Sequence, residues 1–291
     1  MLDERVLTAS GPVTARPAEP PVAPSAWRLA HETPHAWKSV RYVRDLFLHL
    51  VSLELRLLHK RSRLGVAWTL ANPVVQLLIF TVVLGRVLVV GVQHYPLFLC
   101  CGLLCWNAFS ESLTMAAGSI ANAPNVLYQP GFRPVMMPVV VVATGIIHFV
   151  LSLSILGVLL AWYRVPLGWP VLALPLVLIV QSLLTLALAM PLAALMVSFD
   201  DTRHLLSVAL RFLFFLTPIV YATDNFPRAL HLIFAANPLT HLVRAYRAIF
   251  LDGVWPDWVA LGVVAVASLV ALLLGYRFFE SWRFRFIEEI E

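Results

Sequence analysis

The sequence predicts an all-α integral membrane protein. It has six transmembrane helices, an amphipathic helix at the membrane interface ahead of them, and re-entrant helices on the outer side before the last span. Composition is the first observation: of 291 residues, 60% are hydrophobic and 13% charged, and the mean hydropathy is +0.83. A soluble domain is nearer half apolar and a quarter charged, so lipid is the solvent this composition suits. Run length is the second, because about 20 apolar residues cross about 30 Å of hydrocarbon and the chain has room for roughly six such runs. Charge placement is the third. With both termini inside, the cytoplasmic side collects Lys38, Arg41, Arg44, Arg56, Lys60, Arg61, Arg63, Arg133, Arg203, Arg277, Arg283 and Arg285, against Arg86, Arg164, Arg228, Arg244 and Arg247 outside. That asymmetry orients the chain. It also assigns the net charge of +5 to topology and anionic lipid rather than to nucleic acid.

Residues 1–36 are expected as a disordered cytoplasmic tail, since Pro12, Pro17, Pro20, Pro21 and Pro24 punctuate a stretch with no apolar core and none of a signal peptide's pattern. Residues 37–63 form the amphipathic helix. Val43, Leu46, Phe47, Leu50, Leu57 and Leu58 recur at helical spacing, with Arg41, Asp45, His49, Arg56, Lys60 and Arg63 on the other side. Such a helix suits the headgroup layer or a partner protein.

The transmembrane domain, 64–291, opens on Leu64-Gly65, where Gly permits a bend, and on Trp68, placed for the interface. The first span covers about 66–88, with Pro73 tolerated near its start. The second, about 95–116, holds Asn107 and Glu111; a carboxylate there needs protein, water or a partner to face. Ala117 to Pro138 carries repeated Pro, Asn and Gly, which predicts short helix–turn pieces at the cytoplasmic face. The third and fourth spans, about 135–163 and 169–199, are joined through Arg164-Val165-Pro166, and Pro175 and Pro191 bend the fourth. A tight polar turn, 198–204, precedes the fifth span at about 205–221. From 222 to 255 the mixed character predicts two short helices dipping toward the membrane without crossing it. The last span covers about 256–278.

The chain lacks G-x-x-x-x-G-K-[ST], H-E-x-x-H and G-x-S-x-G, so none of those chemistries is available to it. Cys100, Cys101 and Cys105 sit in one apolar run without zinc-ligand spacing and read as small buried hydrophobes, and no metal site is expected. Asp200-Asp201 is the paired carboxylate at a membrane edge. A metal-dependent transferase acting on polyprenyl-phosphate sugars would be built there, although one turn shared with Arg203 and His204 reads more simply as a docking loop.

The order of several stretches resembles the transmembrane subunit of type-2 ABC exporters for polysaccharides: the O-antigen, capsule and teichoic acid permeases. Lys60-Arg61-Ser62-Arg63-Leu64-Gly65, with Trp68 and Asn72-Pro73, looks like the family's motif ahead of the first span. Asn125 through Pro134 is similar to its first cytoplasmic loop and Phe199 to His204 to its second. Thr217-Pro218, Asn237-Pro238-Leu239-Thr240 and Tyr246-Arg247 look like its outer re-entrant region. The resemblance covers about Arg41 onward. It departs at Phe199-Asp200-Asp201, where the family commonly has Arg before Asp.

The resemblance implies an ABC-2 type exporter fold and a subunit of an ATP-driven exporter rather than an enzyme. It implies a homodimer with two separate ATP-binding cassette subunits, which carry ATP and magnesium, in the inner membrane. The substrate implied is a polysaccharide on lipid pyrophosphate, O-antigen ahead of capsule or teichoic acid; a small-drug exporter of the same type is a further reading. Arg56, Lys60, Arg61 and Arg63, with Leu64-Gly65 as the adjoining turn, stand where an arriving pyrophosphate would meet cations. Trp106, Phe109, Phe212, Phe214, Phe215 and Tyr221 are the aromatics on which sugar rings would slide. Asn122, Asn125, Gln129, Arg133, Asp200, Asp201 and Arg203 are the residues expected to meet the ATPase.

Overall fold

The computed structural model describes residues 40–59, 67–87, 94–122, 133–223 and 227–282, and among these the regular structure is helical throughout. Helix α1 is Val40–His59, α2 Ala67–Val87, α3 Tyr95–Gly118 and α4 Met136–Tyr163. A 3-10 turn, Trp169–Ala173, leads into α5, Leu174–Ser198. Then come α6, Asp201–Leu216; α7, Arg228–Ala236; α8, Pro238–Arg247; a π-helical turn, Ala248–Asp252; and α9, Trp258–Trp282.

Among the described residues, four stretches are long and apolar enough to cross a membrane: Tyr95–Gly118, Met136–Tyr163, Trp169–Ser198 and Trp258–Trp282. Within α2 the apolar stretch is shorter, Leu70–Val83. The Val, Leu and Trp side chains that α4 and α9 leave exposed, among them Val158, Trp162, Val259, Val263 and Leu273, form apolar surface that lipid would cover.

Helix α3 is the axis of the molecule, buried along most of its length, with α2, α4, α5, α6 and α8 packed around it. Its three cysteines are buried free thiols, as their apolar run predicts. Helix α9 lies against α5, and the close approach depends on Gly275. A Cβ there would stand 3.0 Å from the Ala187 carbonyl oxygen and 3.0 Å from the Pro191 ring. Pro191 is accommodated inside α5, which runs on to Ser198.

Helix α1 has the predicted amphipathic stripe, and the chain itself supplies its apolar partner. Leu46, Leu50 and Val51 pack on Val140 and the start of α4, with Phe47, Met136 and Met137 around them. Arg44 and Asp45 face out and pair with each other at 2.8 Å.

The largest departure from the predicted boundaries is α6. It begins at Asp201 and stops at Leu216, not at 205 and 221. The turn at Phe199 already offers a carbonyl acceptor to the helix, the Thr202 N–H donating to the Phe199 oxygen at 3.1 Å, and Asp201 in the first turn favours the helix N-terminus. At the other end, Pro218 disfavours helical geometry in Thr217, which is extended. Two short helices, α7 and α8, fill the 222–255 region, as its mixed character predicts.

Candidate functional site: an aromatic groove with charged walls

A groove of about 560 Å³ runs between α2, α3 and α6. Helix α3 forms its floor with Trp106, Ser110, Glu111, Thr114 and Met115. Gln76 and Phe80 line it from α2, and Ser207, Leu210, Arg211, Phe214 and Phe215 from α6. The local reason is spacing. Asn107, Ser110, Glu111 and Thr114 recur every three or four residues on α3 and so form one polar stripe in an apolar helix.

Four rings build the groove's aromatic part. Trp106 meets Phe214 edge-on at 5.4 Å between centroids, Phe80 stacks on Phe214 at 6.0 Å, and Phe215 stands perpendicular to Phe214 at 5.3 Å. Trp106 and Phe214 are mostly buried in this packing, whereas Phe215 is 68% exposed.

Polar groups fix the walls. The Asn107 amide donates to Gln76 Oε1 at 2.9 Å and ties α2 to α3. Asn72 lies beside the Glu111 carboxylate from the α2 side. Among the described residues neither Glu111 nor Arg211 makes an ion pair.

Of the six aromatics read from the sequence, the structure brings Trp106, Phe214 and Phe215 into the groove. Phe109 lies in the core, fully buried. Phe212 is exposed on another side of α6. Tyr221 stands further along, its hydroxyl donating to the Phe215 carbonyl at 2.6 Å and its ring against Phe234. Residue-by-residue reading gives Gln76, Ser110, Thr114, Ser207 and Arg211 no role. The signal available for them is the i, i+3/i+4 recurrence of small polar residues along spans that are otherwise apolar.

The end of the bundle where α3 stops joins two of the loops expected to meet the ATPase. Arg203 donates to Asn122 Oδ1 at 2.9 Å. Asp200 and Asp201 are exposed at the start of α6, Arg133 is exposed ahead of α4, and the Phe199 and Trp282 rings meet at 6.2 Å. Asn125 and Gln129 lie outside the described residues. So do Lys60, Arg61, Arg63, Leu64 and Gly65; Arg56 is on α1, with its side chain outside the described part. Among the described residues no group of three or more His, Cys, Asp or Glu could hold a metal ion.

The opposite end is held by a buried network. Arg247 donates to the carbonyls of Pro218 at 2.8 Å and Ile219 at 2.7 Å, and its guanidinium lies 3.4 Å above the Phe98 ring. Asn237 caps α8 by accepting from the Leu239 N–H at 3.0 Å, and its amide donates to Thr217 Oγ1 at 2.9 Å. Tyr246 donates to Gln181 Oε1 of α5 at 2.6 Å. Thr217-Pro218, Asn237-Pro238 and Tyr246-Arg247, distant in sequence, thus meet in one joint. Beside it a cavity of about 480 Å³ opens among His241, Arg244, Asp252 and Asp257.

Comparison with known proteins agrees with this architecture. Residues 45–251 match the family model described as ABC-2 type transporter. The chain is 35% identical over 259 residues to "O-antigen export system permease protein RfbA" of Myxococcus xanthus, covering 86% of this chain and all of that one. A protein of the same name from Klebsiella pneumoniae is 28% identical over 85% of this chain and 95% of its own. "Polysialic acid transport protein KpsM" of Escherichia coli is 26% identical over 82% and 92%. The matched span runs from α1, through the groove helices, to the joint that Arg247 closes, and on that ground the chain is a member of the ABC-2 type transporter family, integral to the membrane.

Proposed function

We propose that this chain is the permease subunit of an ATP-driven exporter that carries a lipid-pyrophosphate-linked polysaccharide, O-antigen, across the inner membrane. The observation that carries the reading is the groove. Rings of Trp106, Phe80 and Phe215 beside hydroxyl, amide and charged groups suit a hydroxyl-rich chain, whose C–H faces stack on aromatics while its hydroxyls exchange hydrogen bonds. Sugar faces held this loosely can slide. The two relatives named for O-antigen export, each similar over most of both chains, support the same cargo. The relative named for polysialic acid transport extends the cargo class to other polysaccharides at lower identity.

Six spans complete the proposal, with α2 and α6 joining the four long helices. The 16 residues of α6 rise only about 24 Å. That falls short of about 30 Å of hydrocarbon, so its ends, with Asp201 on one side and Thr217 on the other, would sit in the interfacial layer. Both termini face the cytoplasm, and α7 and α8 belong to the outer side. A groove open along one side is half of a passage, and a second copy supplies the other half. Two ATP-binding cassette subunits dock at the end bearing Asn122, Arg133, Asp200, Asp201 and Arg203, where the Arg203–Asn122 bond passes their motion between the two loops. Arg56, Lys60, Arg61 and Arg63 receive the pyrophosphate, and Leu64-Gly65 forms the turn at that entrance; α1 carries Arg56 and is itself fastened to the base of α4.

The test is purification of the chain from its native membrane. An ATPase that accompanies it and is stimulated by lipid-linked glycan supports the reading. Purification with no ATPase contradicts it.

A further inference from the structure

Among the described residues the groove holds two charges of opposite sign without a charged partner, and we propose that they are partnered by a second copy of this chain: Glu111 of one copy pairs with Arg211 of the other. Two symmetric ion pairs then close the passage at rest. This rests on the reading of the groove as half a passage.

Depth is the first argument. The edge contact between Trp106 and Phe214 sets those two residues level. Helices α3 and α6 run in opposite directions, so Glu111 lies about 7.5 Å and Arg211 about 4.5 Å from that level, both toward the Asn122 end. The two charges therefore differ in depth by about 3 Å, within reach of two long side chains.

Sidedness is the second argument. Asn72 stands beside Glu111 from α2, so the carboxylate belongs to the α2 side of the floor, while Arg211 projects from the α6 wall. A two-fold axis along the open side of the groove sets each α6 wall against the α2 side of the other copy. A self-complementary interface requires that if one residue touches a second, the second touches the first in return. Glu111 and Arg211 meet that condition, and the passage acquires a ring of alternating charge.

Cost is the third argument. Both residues are exposed within the bundle's apolar length, where an unpaired charge is expensive unless it faces water or a counter-charge. The flanking surface is apolar on both walls, with Ile79 and Val83 exposed one turn from Gln76 and Phe80 on α2 and Val208 exposed one turn from Arg211 on α6. That surface would make a dry collar around the pairs. Opening the passage separates the pairs, and a chain of hydroxyl groups can hydrogen-bond both charges as it enters.

Thiol cross-linking in resting membranes tests the contact. In chains with Cys100, Cys101 and Cys105 replaced by Ala, one copy carrying Glu111→Cys and co-expressed with another carrying Arg211→Cys should yield a covalent dimer with a short bismaleimide. Monomer alone, or an adduct with another protein, overturns the proposal. Charge exchange tests it without the cysteine background. Like charges opposed across an interface repel, so Glu111→Arg and Arg211→Glu should each lower surface glycan by about tenfold or more. The chain carrying both changes should recover most of that loss. A double variant as inactive as the singles, at equal membrane level, overturns the proposal. Cross-linking needs no transport, so a covalent dimer, in a protein whose deletion as wild type leaves surface glycan unchanged, refutes the exporter reading and leaves the contact standing.

Discussion

Arg247 is the residue on which most of the local structure converges. Its guanidinium satisfies two carbonyls just beyond the end of α6 and covers the Phe98 ring, so one side chain ties together α8, α3 and the segment after α6. Arg247→Met keeps the bulk but leaves buried carbonyls unpaired. It should destabilise the protein by about 3 kcal/mol, seen as a lower unfolding midpoint in detergent. Arg247→Lys should fall between, because a single ammonium lacks the planar fork that reaches both oxygens. Tyr246→Phe removes the donor to Gln181 and should cost about 1 kcal/mol in the same assay. At this scale the sequence is legible in kind but not in detail. Thr217-Pro218, Asn237-Pro238 and Tyr246-Arg247 stand out as motif residues, yet nothing in a linear chain says that they touch. Glu111 is conspicuous as a carboxylate in an apolar run. Trp106 and Phe109 look alike on paper, and only the packing of α3 against its neighbours turns one into the groove and the other into the core.

Among the elements, the long helices follow directly from run length and apolar composition. The predicted third span, about 135–163, and Met136–Tyr163 differ by one residue, because an uninterrupted apolar run has unambiguous ends. Helix α6 is the counter-example. Its apolar stretch reads past Pro218, and only the backbone restriction before that proline ends the helix at Leu216. The α5–α9 contact is likewise hidden in sequence, since Gly275 differs from other glycines of apolar runs only through what lies opposite it. Backbone oxygen and a proline ring cannot move aside as a flexible side chain would. Gly275→Ala should therefore already destabilise, and Gly275→Leu should do so by about 1–3 kcal/mol. The check is the fraction that stays folded and monodisperse in detergent after heating. Equal recovery of Gly275→Leu and wild type would contradict the packing account.

For the whole molecule, the groove links fold to transport. Phe215 lines it and is largely exposed, so Phe215→Ala should lower glycan export several-fold at unchanged membrane level. Val259→Ala, on the exposed face of α9, should leave export as it is. Fold class and family are legible from composition, charge asymmetry and motif order, because those are properties of the chain taken as a line. The groove is not, because it arises where three helices meet. The most direct measurement is made in the native cell, by deleting this chain and following lipid-linked glycan on the two faces of the membrane. The account predicts that glycan disappears from the cell surface, accumulates on its lipid carrier at the cytoplasmic face, and returns to the surface when the chain is restored. Surface glycan that is unchanged by the deletion would contradict it.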